Sequence, residues 1–282
     1  MASTKAIAKR YPSDLTDEEW EVIKEVLEQE EPYTTGRPQT VDRREIVNAL
    51  FYLNKTGCQW RYLPKDFPPY YTVSYYYHKW VRNGTLEKMN TEVRRRLRKN
   101  EGRNEDPSAA IIDTQSVKGT PESAIESGFD GGKRVKGRKR HIIVDTIGYL
   151  LVVIVHAANV FDGRGALQVV EKLFSIVTTV QLIWTDGTYK GHVITWALER
   201  FGCVLEMVKN KKKRKTKSGK GFKVLPRRWV VERTFAWLGR SRRLSKDYER
   251  NPSSSAGMVY VASIRLMLRR LTKPAEPIAQ AA

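Results

Sequence analysis

The chain has 282 residues, 51 of them Lys or Arg and 31 Asp or Glu, for a formal net charge of +20. With 40% hydrophobic and 10% aromatic residues it is too rich in core formers to be a disordered tail, so the charge excess sits on a folded protein of one large or two modest domains. An excess of this size calls for a polyanion, either nucleic acid or an anionic membrane surface.

No window reaches the roughly 18 uninterrupted apolar residues that a spanning helix needs, and residues 1–10 carry Lys5, Lys9 and Arg10 with no apolar stretch behind them. A cytoplasmic location is the expectation. Cys58 and Cys203 stand far apart without a second Cys or a nearby His, which suggests core thiols rather than a disulfide framework or a zinc site. None of the four histidines has a partner at ligand spacing either. Residues 1–100 hold 18 basic and 14 acidic side chains, a net of +4, so the other 182 residues carry 33 − 17 = +16.

The first hundred residues read as helices. Thr16 followed by Glu19 is a capping box, and Trp20, Ile23, Val26 and Leu27 then recur on one face. A second helix is expected from Asp42, with Ile46, Ala49, Leu50 and Leu53 buried and Gly57 as its stop. After a tight connection over residues 58–69, Thr72 caps a third helix through Trp80, stopped by Asn83-Gly84. Thr85 opens a fourth that ends in Arg94, Arg95, Arg96 and Arg98. Such an array suits a helix-turn-helix module as well as a small bundle that merely packs. The stripe Tyr75, Tyr76, Tyr77 and Trp80 reads as core before it reads as a stacking platform for bases. Gly36-Arg37-Pro38 is a loop that could also set an arginine in a minor groove. The polar segment 101–108, with Gly102 and Pro107, reads as a linker.

Residues 109–272 alternate strand and helix patterns. Strands are expected over 109–114, 140–145 and 150–156, the last two joined as a hairpin through Ile147-Gly148-Tyr149. A helix over 165–176, a strand over 180–184, a helix over 192–201, a strand over 203–208 and a helix over 226–240 follow. The order predicts an α/β domain with a mixed sheet flanked by helices, and 273–282 is left as a flexible tail.

Phosphodiester chemistry without a covalent protein intermediate commonly uses two divalent cations held by carboxylates. Candidates are acids at the ends of buried apolar runs: Asp113 in IIDT, Asp186 in LIWTDG, Asp145 in IVDT, and Asp162. Any one of them alone is also an ordinary turn former. Glu232 adds weight, because on its helix it faces the side of Arg228 and Gly239, opposite Val230, Thr234, Trp237 and Ser241. A surface Glu balancing arginines would look the same.

At this point the chain resembles a known family. YPSDLTDEEWEVI and GRPQTVDRREIVNALFYLNKTGCQWRYLPKDFPP are similar to the N-terminal region of IS5-family insertion-sequence transposases. IIDTQSVKG, KGRKRHIIVDTIGYLL, TDGTYKG and RRWVVERTFAWLGRSRRLSKDYE are similar to their DDE catalytic domain. The resemblance implies an RNase H-like fold, DNA transposition, and a triad in which Asp113 is the first aspartate, Asp186 the second and Glu232 the glutamate, with Asp145 outside it. The cofactor implied is a pair of Mg²⁺ ions, with Mn²⁺ able to replace them. The wider group's spacing around the glutamate is kept at Arg228 and Glu232, while Leu225 and Gly239 depart from its Tyr and Lys.

Two basic segments then gain a role. Residues 209–223 (KNKKKRKTKSGKGFK) carry nine cations and no acid, and 133–140 (KRVKGRKR) six more. The first is also what a solvated loop looks like, though DNA contact is the reading preferred. Neither has the apolar stripe a membrane-surface helix needs, so DNA is the expected partner, with no membrane and no small-molecule substrate. The side chains expected to meet phosphates are Lys118, Lys136, Arg138, Lys139, Arg140, Lys190, Lys211, Lys212, Lys213, Arg214, Arg228, Arg240 and Arg243. Joining two DNA ends predicts a homodimer on DNA.

Overall fold

The computed structural model describes residues 10–30, 41–123, 125–189, 191–208 and 229–272. Four helices come first: α1 (Asp17–Glu30), α2 (Arg43–Thr56), α3 (Tyr70–Arg82) and α4 (Thr85–Asn100). The capping box forms as expected, with the Glu19 amide donating to Thr16 Oγ1 at 3.0 Å and the Thr16 amide to Glu19 Oε2 at 2.9 Å. Asp42 caps α2 by accepting from the Arg44 amide, and Gly57 ends it at φ 73°, a conformation only glycine takes without strain. The third helix starts earlier than Thr72 predicts. Pro69 precedes it, and the fixed ring of a proline is well suited to a helix start. Residues 57–69 separate α2 from α3 and include a 3₁₀ turn, Trp60–Tyr62. That is longer than the three to four residues of a helix-turn-helix connection.

The second part forms a six-stranded sheet from β1 (Ala109–Lys118), β2 (Gly128–Asp130), β3 (Val135–Asp145), β4 (Leu150–Ala157), β5 (Leu182–Thr185) and β6 (Val204–Met207). β3 is antiparallel to β1 on one side and to β2 and β4 on the other, whereas β1, β5 and β6 run parallel. Helices α5 (Asp162–Phe174) and α6 (His192–Phe201) supply the crossovers. Three antiparallel strands continued by parallel ones, with helices on both faces, make the RNase H-like arrangement that the resemblance implied. β2 is a three-residue strand, too short to carry a periodic signal.

Two cores lie on the two faces. Ala110, Ile112, Ile143, Val152 and Ile183 point toward α5 and α6. Ile111, Ile142, Val144, Leu150, Val153 and Trp184 point the other way, into a core shared with all four N-terminal helices. At the centre of that core lie α7 (Trp229–Leu238) and α8 (Pro252–Leu271), the latter packed on α4, α2 and β4. Gly257 is the point of closest approach to α3: a Cβ there would sit 2.6 Å from Val81 Cγ2 and 2.8 Å from the Tyr77 hydroxyl. Residues 101–108 are pinned rather than loose, since Asp106 accepts from Arg94 (2.8 Å) and Arg95 (2.7 Å), and Arg98 Nε donates to Asn104 O (2.8 Å). Among the described residues no helix is long and apolar enough to cross a membrane. Cys203 is buried, its thiol pushed up to about 11 by burial, and Cys58 is half-buried.

Candidate catalytic site

The parallel pairing of β1 with β5 runs Ala109↔Leu182, Ala110↔Ile183, Ile111↔Trp184. Two residues further on each strand come Asp113 and Asp186. Continued register therefore puts the two aspartates at one level, Asp113 midway along β1 and Asp186 one residue past the end of β5. Because side chains alternate, Asp113 is on the face of Ile111 rather than that of Ile112. That is the face on which α7 packs against β1 and β3. Asp113 is half-buried, and its Oδ1 accepts from the Thr114 amide at 2.8 Å. Asp186, also half-buried, heads a turn: its Oδ1 accepts from the Thr188 amide (2.9 Å) and the Thr188 hydroxyl.

The far end of that turn is anchored. Tyr189 is 1% exposed and its hydroxyl meets His141 Nε2 at 2.8 Å. Strands β3 and β4 also bring the His141 and His156 rings to 5.9 Å, a ring contact between residues far apart in the chain. Both are held below the ordinary imidazole range by burial, His141 well below, so the pair is neutral. Their unbonded Nδ1 and Nε2 atoms face Gly165, where a Cβ would lie within 2.8 and 2.6 Å of them. The TDGTYKG motif places Tyr189 three residues past Asp186, which was the available signal for this anchor.

Glu232 lies on the open side of α7, as the helical geometry predicts, while Val230, Val231, Thr234 and Leu238 are buried. The helix is tied to the β3–β4 hairpin by Thr234 Oγ1 donating to Gly148 O (2.8 Å) and Arg233 Nη2 to Ile147 O (2.5 Å). Arg233 is itself stacked between Trp229 and Trp237, 4.4 Å from each ring centre.

Three carboxylates without His or Cys form the oxygen set that suits a hard divalent cation. The aspartates fit by register and face. Among the described residues, however, no three acidic, His or Cys side chains gather closely enough to hold a metal, so the three carboxylates do not converge in this conformation.

The other two acids have structural tasks. Asp145 is fully buried: Oδ1 accepts from the amides of Ile147, Gly148 and Tyr149 at 2.9, 2.9 and 2.8 Å, and Oδ2 pairs with Arg98 at 2.6 Å. Asp162, the first residue of α5, accepts from Lys139 Nζ at 2.6 Å.

The basic residues divide sharply. Lys118, Lys136 and Arg240 are exposed. Arg138, Lys139, Arg140 and Arg243, expected on DNA, point into the protein, which corrects that expectation. Arg138 is fully buried and donates to Asp247 Oδ1, Glu249 O, Ile125 O and Arg250 O. Arg140 donates to Leu244 O at 2.7 Å, its guanidinium brought down to about 10 by burial. Lys139 binds Val160 O and Asp162, and Arg243 binds Glu249 and Cys58 O. Arg138 and Arg140 share alternation with Ile142 and Val144, so they continue a buried stripe of β3, and Asp247 is the acid that pairs with this end, while the Glu249 carboxylate takes Arg243. Lys190, Lys211, Lys212, Lys213, Arg214, Arg228 and the tripeptide Gly36-Arg37-Pro38 lie outside the described residues.

Comparison with known proteins agrees with this layout. Residues 15–90 match the model of a transposase family, IS4/5, and residues 104–267 match the transposase DDE domain. A transposase for insertion sequence element IS402 of Burkholderia cepacia is 33% identical over 121 residues, which are 40% of this chain and 54% of that protein. The chain thus spans about half the length of this curated relative. Families built on this domain generally use divalent metal ions. With the DDE domain matched over more than half of its length, the chain belongs to the DDE transposases of the IS4/5 type.

Proposed function

We propose that this protein is the transposase of an insertion sequence: it binds the element's terminal inverted repeats, cuts there by metal-dependent phosphodiester hydrolysis, and joins the 3′-OH ends to target DNA. The observation that carries the reading is the equal level of Asp113 and Asp186 on the adjacent parallel strands β1 and β5, on the face that α7 covers. Asp113, Asp186 and Glu232 would hold two Mg²⁺ ions, replaceable by Mn²⁺, which supply charge stabilisation and an activated attacking oxygen.

The remaining work belongs to the chain. Buried strands β1 and β5 fix the aspartate backbones, and Tyr189 on His141 fixes the turn behind Asp186. Exposed Lys118, Lys136 and Arg240 meet phosphates. In the first step a water oxygen bonds to phosphorus and the bond to the 3′ oxygen breaks, leaving a 3′-OH. In the second that hydroxyl attacks a target phosphodiester, one P–O bond forming as another breaks. In this scheme residues 1–100 recognise DNA and 109–272 perform the chemistry, and two protomers act together because two ends must be joined.

The test is a strand-transfer assay on duplexes ending in the terminal repeats that flank the gene, with pre-formed 3′-OH ends. Joined product that appears with Mg²⁺ and vanishes with EDTA is expected. Cleavage without joining would make the protein a nuclease on the same fold, and binding alone would make it a regulator or an inactive relic; either outcome overturns the proposal. The division among basic residues has its own check. Lys136→Ala is expected to leave melting unchanged and to flatten the salt dependence of duplex binding by about one unit of slope. Arg138→Ala, which leaves the buried Asp247 carboxylate without its ion-pair partner, is expected to cost about 3–5 kcal/mol of stability instead.

A further inference from the structure

Four of the exposed aromatics cluster, while Phe129, Phe161 and Trp229 lie apart from them. Tyr62, Tyr70, Tyr71 and Tyr75 all lie in or just before α3, and Tyr71 and Tyr75 keep 65% and 59% of their surface open. Helix α3 is two-sided. Val73, Tyr77 and Trp80 are fully buried, and the Tyr77 hydroxyl bonds Ser254 O of α8, so the inner face is locked. Tyr71, Tyr75, His78 and Arg82 follow at i, i+4, i+7 and i+11, fall on one stripe, and are all exposed. The tyrosine run that reads as core from sequence is therefore divided, half inside and half presented outward.

We infer that the outer stripe of α3 (Tyr71, Tyr75, His78 and Arg82) is the element that reads base edges, inserted in the major groove of duplex DNA. The inference rests on the function proposed above. Exposed tyrosines also mark protein interfaces, and charge decides between the two. Residues 67–86 contain no Asp or Glu, in a chain that carries 31 such residues elsewhere, while Lys79 and Arg82 lie on the helix and Arg61 stands 5.9 Å from the Tyr70 ring. Flanking phosphates would meet cations and no repelling carboxylate. A helix about 10–12 Å across fits a groove about 12 Å wide, and thirteen residues span about 20 Å of it. An arginine pairs with guanine O6 and N7, and tyrosine rings offer a thymine methyl an apolar contact and base edges a hydroxyl. Of the helices in the N-terminal region, α2 cannot take this role, since nine of its residues are buried.

The test is selection from a random-sequence 20-bp duplex pool with the full chain and with Tyr71→Ala/Tyr75→Ala and Arg82→Gln variants. Wild type should enrich one sequence. The double variant should lose that enrichment by roughly tenfold or more, and Arg82→Gln should relax the preference at a guanine position, with low-salt affinity for the unselected pool kept within about threefold. All three side chains are exposed, so melting temperatures should coincide and foldedness is controlled. An unchanged motif in both variants would overturn the inference while leaving the proposed function standing. Variants that keep the motif but lose self-association in sedimentation would assign the stripe to a protein contact and overturn it equally. If the variants lose the motif while wild type never joins ends, the base-reading helix stands and the proposed chemistry falls.

Discussion

Asp113→Asn and Asp186→Asn are each expected to lower metal-dependent cleavage and joining by about 10³-fold or more, roughly 4 kcal/mol in the barrier, with the melting temperature unchanged or slightly raised. The direction of both effects follows from placement. Two carboxylates at one level of adjacent strands repel each other, so neutralising one removes strain from the fold while removing a ligand from the chemistry. The amide is nearly isosteric, and its oxygen can keep the bond from the Thr114 amide to residue 113 or from the Thr188 amide to residue 186. Glu232→Gln should lose activity in the same way, because Glu232 stands on the open side of α7, outside its buried set of Val230, Val231, Thr234 and Leu238. The measurement is paired: single-turnover cleavage beside thermal melting for each variant. Retained cleavage would remove these acids from the site, and lost cleavage accompanied by a large drop in melting temperature would show them to be structural.

What could be read from the chain beforehand depended on whether a local rule governed the outcome. The start of α1 at Thr16 and the stop of α2 at Gly57 are set by backbone hydrogen bonds between near neighbours, and both were visible. So was the open side of α7 carrying Glu232, since a helix fixes which residues share a side. Helix α8 was not. Twelve of its twenty residues are buried and they lie on every side, so no apolar stripe marks it, although it packs on both the N-terminal helices and the sheet. The buried cations failed for a related reason. Six positive charges in eight residues read as a DNA-facing segment, and only the fold, by bringing Asp247 to Arg138 and Asp162 to Lys139, makes the burial of Arg138, Lys139 and Arg140 possible. Likewise Asp113 and Asp145 sit in near-identical contexts, IIDT and IVDT. Strand direction separates them, and strand direction is a long-range property.

That contrast yields the largest expected effect on stability. Asp145→Ala is expected to destabilise the protein by about 3–5 kcal/mol, lowering the melting temperature on the order of 10 °C, and to reduce activity only as far as the protein unfolds. Asp145 accepts from three consecutive amides through one oxygen and from Arg98 through the other, all out of water. Its removal leaves those donors of the β3–β4 turn and a buried guanidinium without their acceptor. Arg98 belongs to α4, so the same change also loosens the N-terminal helices from the sheet. Asp145→Asn separates the two contributions: its oxygen can still serve the turn amides, but the charge facing Arg98 is gone, so it should fall between wild type and Asp145→Ala. Arg98→Met supplies the reciprocal case, removing the cation and leaving the carboxylate with its three amides. If Asp145→Ala melts with wild type and still loses catalysis, Asp145 belongs to the chemistry and the triad needs revision. If instead the folded fraction accounts for the activity of all three variants, these aspartates have divided their labour, two for the reaction and one for the turn.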